Sequence, residues 1–329
     1  MISVACALSM SPVHAAQISE RAIDDVDEAG SDARPSASIG GYVAAQGIYS
    51  VKRARERGFQ LHDAAVYLRF GYGAHYGYVD VPFSADFDAV EGADFAIGLD
   101  KAQAYVGGEY DIGFSWMLGQ FDSIVGYEDN DSPGNPFNQP SKFFNSATPN
   151  THAGIWLGYS RSDVLSFALM CANPGEEGLL RGGSPEFGAV VEWNAGPVAG
   201  YVSGLTKRSD GKQDAFIDVV TEGTLLANSI AWVLEGDLTK VGRAADWGFA
   251  LLGQVVVTPV QLSSAAIRVD YVSNQDVFEG LGVSAGLQLH LSEFARLRFD
   301  YLFSRQREND GDPYADDHQF VLGAVFEFR

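Results

Sequence analysis

Residues 294–305 read FARLRFDYLFSR. Leu297, Phe299, Tyr301 and Phe303 fall on one side of an extended chain; Arg296, Arg298, Asp300 and Ser304 fall on the other. Successive side chains of a strand point to opposite faces, so the period here is two and not that of a helix. The same pattern ends the chain, where Phe320, Leu322, Ala324, Phe326 and Phe328 oppose Gln319, Gly323, Glu327 and Arg329. It recurs upstream. Leu281, Val283, Ala285, Leu287 and Leu289 oppose Gly282, Ser284, Gly286, Gln288 and His290, and Ala64, Val66, Leu68 and Phe70 oppose Asp63, Tyr67 and Arg69.

Working outward, about sixteen such segments can be placed. They run 38–52, 62–72, 75–86, 97–110, 112–122, 151–160, 164–173, 185–194, 197–206, 213–222, 226–236, 246–256, 260–273, 279–291, 294–305 and 317–328. A soluble half-buried sheet also alternates. It seldom does so over this many long strands with almost no helical period. Connections after odd-numbered segments are 53–61, 87–96, 123–150, 174–184, 207–212, 237–245, 274–278 and 306–316. Those after even-numbered segments are 73–74, 111, 161–163, 195–196, 223–225, 257–259 and 292–293, each shorter than every member of the first set. Long outer loops and short periplasmic turns are the asymmetry of bacterial barrels. The short set carries turn residues, as in Tyr110-Asp111-Ile112-Gly113, Arg161-Ser162-Asp163 and Asn194-Ala195-Gly196.

A bilayer admits β structure only as a closed barrel, because an edge would leave backbone groups unpaired in hydrocarbon. The expected fold is therefore all-β, a transmembrane antiparallel barrel. At this strand count the barrel keeps an aqueous lumen. The polar faces would line it, with inward Gly and Ser keeping it open. Tyr72, Trp116, Trp156, Trp193, Trp247, Tyr271 and Phe328, near strand ends, are expected in the interfacial girdles.

Composition agrees. The 329 residues are 46% hydrophobic and 12% aromatic, with 37 Gly, yet no apolar run reaches the roughly 18 residues of a membrane helix. Cys6 and Cys171 alone exclude a disulfide framework and a cysteine-based zinc site. A net charge of -21 disfavours nucleic acid, whose phosphates need a basic face. Residues 1–15, with an apolar core from Ile2 to Met10 and Val13-His14-Ala15 before the break, read as a signal peptide. The basic stretch that normally precedes such a core is missing, as expected if the true start lies further upstream. Residues 16–37 read as an acidic flexible leader and 38–329 as the barrel.

One connection stands apart. Between Gly119 and Gly154 the chain reads GQFDSIVGYEDNDSPGNPFNQPSKFFNSATPNTHAG, without either period. Loops beyond about 12–15 residues are usually functional or disordered. This one carries Phe121, Tyr127, Phe137, Phe143, Phe144 and His152. It reads either as a surface Ω-loop or as a loop folded into the barrel mouth. Gly119-Gln120-Phe121, Gly126-Tyr127-Glu128, Asn135-Pro136-Phe137 and Pro149-Asn150-Thr151-His152-Ala153-Gly154 resemble the signature region of the family described as Putative beta-barrel porin-2, OmpL-like. The resemblance implies an outer-membrane channel and brings no catalytic or ligand residues with it. Arg329 after Phe328 departs from the usual aromatic ending of such barrels.

No enzymatic constellation stands out. The six histidines show no metal spacing, and no GxSxG is present. His290 and Ser284 share a face but lie roughly 20 Å apart along a strand. Glu128-Asp129-Asn130-Asp131-Ser132 offers oxygen ligands but lacks the glycine and terminal acid of an EF-hand, so a solvated acidic loop is expected instead of a metal site. Inward basic candidates are Arg69, Lys101, Arg268, Arg296 and Arg298; inward acids are Asp63, Glu109, Glu192, Asp270 and Asp300. Set against Glu128, Asp129 and Asp131 of the loop, these would make a charged constriction. Alternatively, Arg268 with Asp270 and Arg298 with Asp300 simply neutralise each other.

The sequence thus predicts a bacterial outer-membrane porin. It would pass ions and small hydrophilic solutes through a pore narrowed by residues 123–150, with weak cation preference. No cofactor, metal or chemical step is implied; the partners are membrane lipid and the solutes, and a homotrimer is compatible. The alternatives are a closed barrel with a structural or adhesive role, an outer-membrane enzyme, and a soluble secreted β protein.

Overall fold

The structure, a computed structural model, describes residues 35–52, 57–88, 92–97, 102–128, 132–141, 151–173, 184–209, 212–226, 229–240, 247–260, 262–274, 278–307 and 313–328. The expected signal peptide and nearly all of the leader lie outside the described residues.

The described chain is almost wholly β. The first strands are β1 (Ser36–Ser50), β2 (Arg57–Tyr72), β3 (His75–Asp88), β4 (Gly92–Ile97), β5 (Gln103–Tyr110) and β6 (Phe114–Asp122). A short 3-10 turn, Ser132–Gly134, precedes β7 (Thr151–Ser162), β8 (Leu165–Ala172), β9 (Glu186–Asn194), β10 (Val198–Ser209) and β11 (Lys212–Leu225). The remainder are β12 (Ile230–Lys240), β13 (Gly248–Val260), β14 (Ser263–Asn274), β15 (Phe278–Ser292), β16 (Ala295–Arg307) and β17 (Ala315–Phe328). Sequential neighbours pair antiparallel, and β1 pairs with both β2 and β17, from Gly41↔Phe328 to Ser50↔Gln319. No edge is left. β4 and β5 both pair with β3, β4 along Phe83–Asp88 and β5 along His75–Asp80, so they share one place and the barrel has 16 strand positions. Of the segment expected as one strand over 97–110, β5 takes 103–110, while β4 lies almost wholly in 87–96, the stretch expected as a connection.

Alternation sets the faces. Val66, Leu68, Phe70, Ile217, Val219, Ile267, Phe299, Phe320 and Leu322 are exposed on the outside, while Asp218, Glu235, Arg268, Arg298 and Asp300 are buried inside. An apolar side chain withdrawn from water contributes about 1.5–3 kcal/mol. That gain is available to the outward rows only in hydrocarbon, which makes this outer surface a lipid-facing one.

Turn chemistry is as read: Gly113 sits at φ +80 and donates its N–H to Tyr110 O at 2.8 Å. The β13–β14 ladder slips between Val257 and Val260, where Pro259 has no N–H to give.

Three expectations are corrected. First, loop lengths do not separate cleanly. β10 and β11 stay paired out to Ser209↔Lys212, and β3 and β4 out to Asp88↔Gly92, so these two connections are about as short as the turns at the other end. Second, Trp156 points inward, 8% exposed, while Tyr72, Trp247 and Phe328 face outward. Third, the inner wall is not polar throughout. Met117, Trp156, Met170, Val190, Val220, Val233, Leu252 and Val272 form one buried cluster inside the barrel. The segment LSFALMCA is apolar at nearly every position of both faces, and alternation alone could not say which face would be covered.

Candidate functional site

What covers that inner cluster is the long connection between β6 and β7. Its stems are paired, Phe121↔His152 and Asp122↔Thr151. His152, 1% exposed, places Nε2 3.2 Å from Ser123 Oγ and Nδ1 3.3 Å from Glu186 Oε2 on β9. Ser123 Oγ also accepts the Val125 N–H at 3.2 Å. Ser, His and acid in this order can form a nucleophilic relay. Here all three are buried, with Ser123 and Glu186 each 5% exposed. The line works as a clamp between the loop stem and β9.

Beyond the clamp, Ile124 and Val125 enter the apolar cluster. Gly126, at φ +93, turns the chain so that its N–H donates to Asp218 Oδ2 at 2.9 Å. The Tyr127 N–H donates to Glu235 Oε1 at 2.9 Å. Tyr127 packs partly buried against the cluster. Its phenol is pushed above the ordinary range by desolvation, then by the carboxylates of Glu222, Glu235 and Glu128.

Glu128 reaches Arg268 Nη1 at 2.5 Å and accepts from both the backbone N–H and the hydroxyl of Ser141. Arg268 donates to Gln139 O at 3.0 Å, stands 3.8 Å from Asp270, and lies 4.5 Å over the Phe137 ring. Further round the wall, Arg296 and Arg298 donate to Pro133 O at 3.0 and 3.4 Å, and Arg298 to Gln288 Oε1 at 2.9 Å. Asp300 Oδ2 accepts from Asn138 N at 2.7 Å and from Asn138 Nδ2 at 2.8 Å. The segment therefore touches the inner wall from β9 to β17. A methyl group on Gly323 would overlap Asn138, and one on Gly286 would sit 3.0 Å from Phe137. These inward glycines, expected to keep the lumen open, make room for the loop.

Most of the residues expected at a charged constriction can be placed. Glu128, Arg268, Arg296, Arg298 and Asp300 are brought together at the loop, with Arg268 and Arg298 only 1% and 0% exposed beneath it. Asp270 joins them through Arg268. Arg69 is on β2, separated from β16 by β17 and β1, half-buried and 4.7 Å over the Tyr67 ring; Asp63 of the same strand accepts from Tyr42 at 2.8 Å. Glu192 accepts from Ser166 at 2.5 Å, and Glu109 lies beside the β5–β6 turn near Tyr76. Lys101, Asp129 and Asp131 lie outside the described residues. Reading by alternation passed over Asp218, Glu235 and Asp237, although each sits on an inward position of β11 or β12. It also passed over Asn138, Ser141, Ser123 and Glu186, whose partners are far away in sequence.

A single family model matches residues 41–328. The chain belongs to the family described as Putative beta-barrel porin-2, OmpL-like. The four signature pieces of the porin-2 barrel have distinct places: GQF and THAG are the paired stems, and GYE and NPF are the points where the loop meets the wall.

Solved structures share the fold at low identity. The outer membrane channel DcaP of Acinetobacter baumannii is 11% identical, with a TM-score of 0.67 over 89% of this chain and 97% of that one. An anion-selective porin from Comamonas acidovorans is 13% identical, with a TM-score of 0.62 over 90% and 100%. The trimer form of OmpT of Vibrio cholerae is 10% identical, with a TM-score of 0.62 over 90% and 100%. A search of curated protein sequences finds no match. Family and fold place the porin-2 barrel in the bacterial outer membrane, as a channel-type protein.

Proposed function

We propose that this barrel is a passive diffusion porin for ions and small hydrophilic solutes, its lumen narrowed by residues 123–150, with a weak cation preference. The observation that carries the reading is the seating of 123–128 and 132–141 on the inner wall by Gly126, Tyr127, Glu128 and Asn138. A loop held at so many points keeps a fixed cross-section, which sieving requires.

Charge supports the cation preference. Arg268 is matched by Glu128 and Asp270, and Arg296 by Glu327, so these two arginines bring little free positive field. The chain as a whole carries -21. Surplus negative charge at the mouths raises local cation concentration. A second reading, a closed barrel with a structural or adhesive role, is favoured by one feature: the apolar cluster and the loop on it lie inside the barrel. A homotrimer fits the first reading, since OmpT of Vibrio cholerae has a trimer form.

Single-channel recording of the refolded chain in a planar bilayer under a KCl gradient separates these. Stepwise conductance with a cation-favouring reversal potential is expected. An anion-favouring potential keeps the porin and discards the cation preference. A folded, inserted barrel with no conductance overturns the porin reading in favour of the closed one.

A further inference from the structure

Asp218, Glu235 and Asp237 offer one oxygen each within 4.8 Å of one another, all on the inner wall. They are 0%, 4% and 2% exposed. Register explains the convergence. Ser203, Asp218 and Asp237 lie in one cross-strand row of β10, β11 and β12, and Tyr201, Val220 and Glu235 in the next. Among the described residues no basic side chain pairs with any of the three; the nearby Arg268 is engaged with Glu128 and Asp270. Three buried carboxylates without a countercharge are strongly disfavoured in a low-dielectric interior.

The loop satisfies only two of the six oxygens. Gly126 N–H binds Asp218 Oδ2 and Tyr127 N–H binds Glu235 Oε1. Asp218 Oδ1, Glu235 Oε2 and both oxygens of Asp237 are buried without a hydrogen-bond partner. Independently of the acids, the Tyr201 hydroxyl, on a side chain 3% exposed, is also unpartnered and lies beside all three carboxylates.

We infer that these oxygens form a calcium site that fastens the loop to the wall. All the donors are hard oxygens, which suit calcium or magnesium over softer metals. The three oxygens lie close enough together for one ion to bridge them. Calcium accepts irregular oxygen sets supplied by protein, whereas magnesium demands a near-ideal octahedron and keeps several waters, so this buried set suits calcium. Each of Asp218 and Glu235 would give one oxygen to the ion and the other to a loop N–H, so the ion would orient the carboxylates that hold Gly126 and Tyr127. Asp237, free of the loop, would serve the ion alone. The site does not depend on whether the barrel conducts.

The test is calorimetric titration of the refolded full-length chain, in detergent and stripped with chelator, with calcium and separately with magnesium. One calcium per chain is expected, with magnesium at least tenfold weaker. Asp237→Asn and Glu235→Gln should each weaken calcium at least tenfold, and calcium should slow proteolysis within 123–150 in the wild type alone. Heat-modifiable gel mobility checks folding, and the wild-type titration decides by itself if a variant does not fold. No saturable calcium binding to the folded wild type would overturn the site and point to protons shared among the acids. Unchanged binding in the Asp237→Asn, Glu235→Gln double variant would also overturn it.

Discussion

Arg268 and Glu128, 140 residues apart in the chain, form an ion pair at 2.5 Å with both side chains almost fully buried. The pair joins the loop to β14. Each partner is held further: Glu128 by Ser141, and Arg268 by Gln139 O and the face of Phe137. Charges this deep are costly to desolvate, so the pair stabilises only as part of its network.

Breaking that pair should release the loop. Glu128→Gln and Arg268→Met should each lower the unfolding midpoint in denaturant, with a double-mutant coupling between about 0.5 and 3 kcal/mol. The two should differ in selectivity. Glu128→Gln leaves a buried guanidinium short of negative charge and should move the reversal potential toward anions; Arg268→Met should move it toward cations. Identical shifts from both would remove the pair from the conduction path.

Gly323 tests the seat by volume alone. Its missing Cβ is the space taken by Asn138, which in turn binds Asp300. Gly323→Val should displace Asn138 and raise conductance while the barrel still folds. Ala324→Val, on the outward face of the same strand, should leave conductance unchanged.

Alkaline pH should loosen the loop through Tyr127. Its phenol titrates above the ordinary tyrosine value because ionisation would place a new charge in a desolvated, acid-lined seat. The folded state therefore keeps the proton longer than the unfolded one. The stabilisation is fully present below about pH 10, the unfolded value, and is lost as pH rises toward the folded value. Protease sensitivity of 123–150 should climb above that pH in the wild type and stay flatter in Tyr127→Phe.

The stem clamp gives a fourth outcome. His152→Leu removes the partner of two buried polar groups, Ser123 and Glu186, at a cost of about 1–3 kcal/mol. A lowered denaturation midpoint with faster proteolysis of the loop is expected, and channel steps should become noisier. An unchanged proteolysis pattern would show that Ser123 and Glu186 do not restrain the stem.

Much of this was legible in the chain. Phe299 against Asp300, and Leu322 against Gly323, told the outward face from the inward one, because a membrane barrel repeats its environment every second residue. The family resemblance in the β6–β7 connection was legible as well. The loop's contacts were not. Alternation assigned Arg268 and Arg298 to the lumen, but whether water or protein would meet them depended on residues more than a hundred positions away. Trp156 was misread because aromatic character suits the interface and the core equally.

By itself, then, the sequence determined the barrel: a period of two, strand after strand, has one solution in a bilayer, since every backbone group must be paired and every outward side chain must suit lipid. Only the tertiary structure decided what the interior is. Cross-strand register set Asp218 beside Asp237, and the paired stems turned the loop inward onto them. Register and loop direction are fixed by contacts between distant segments, and no local pattern of residues encodes them.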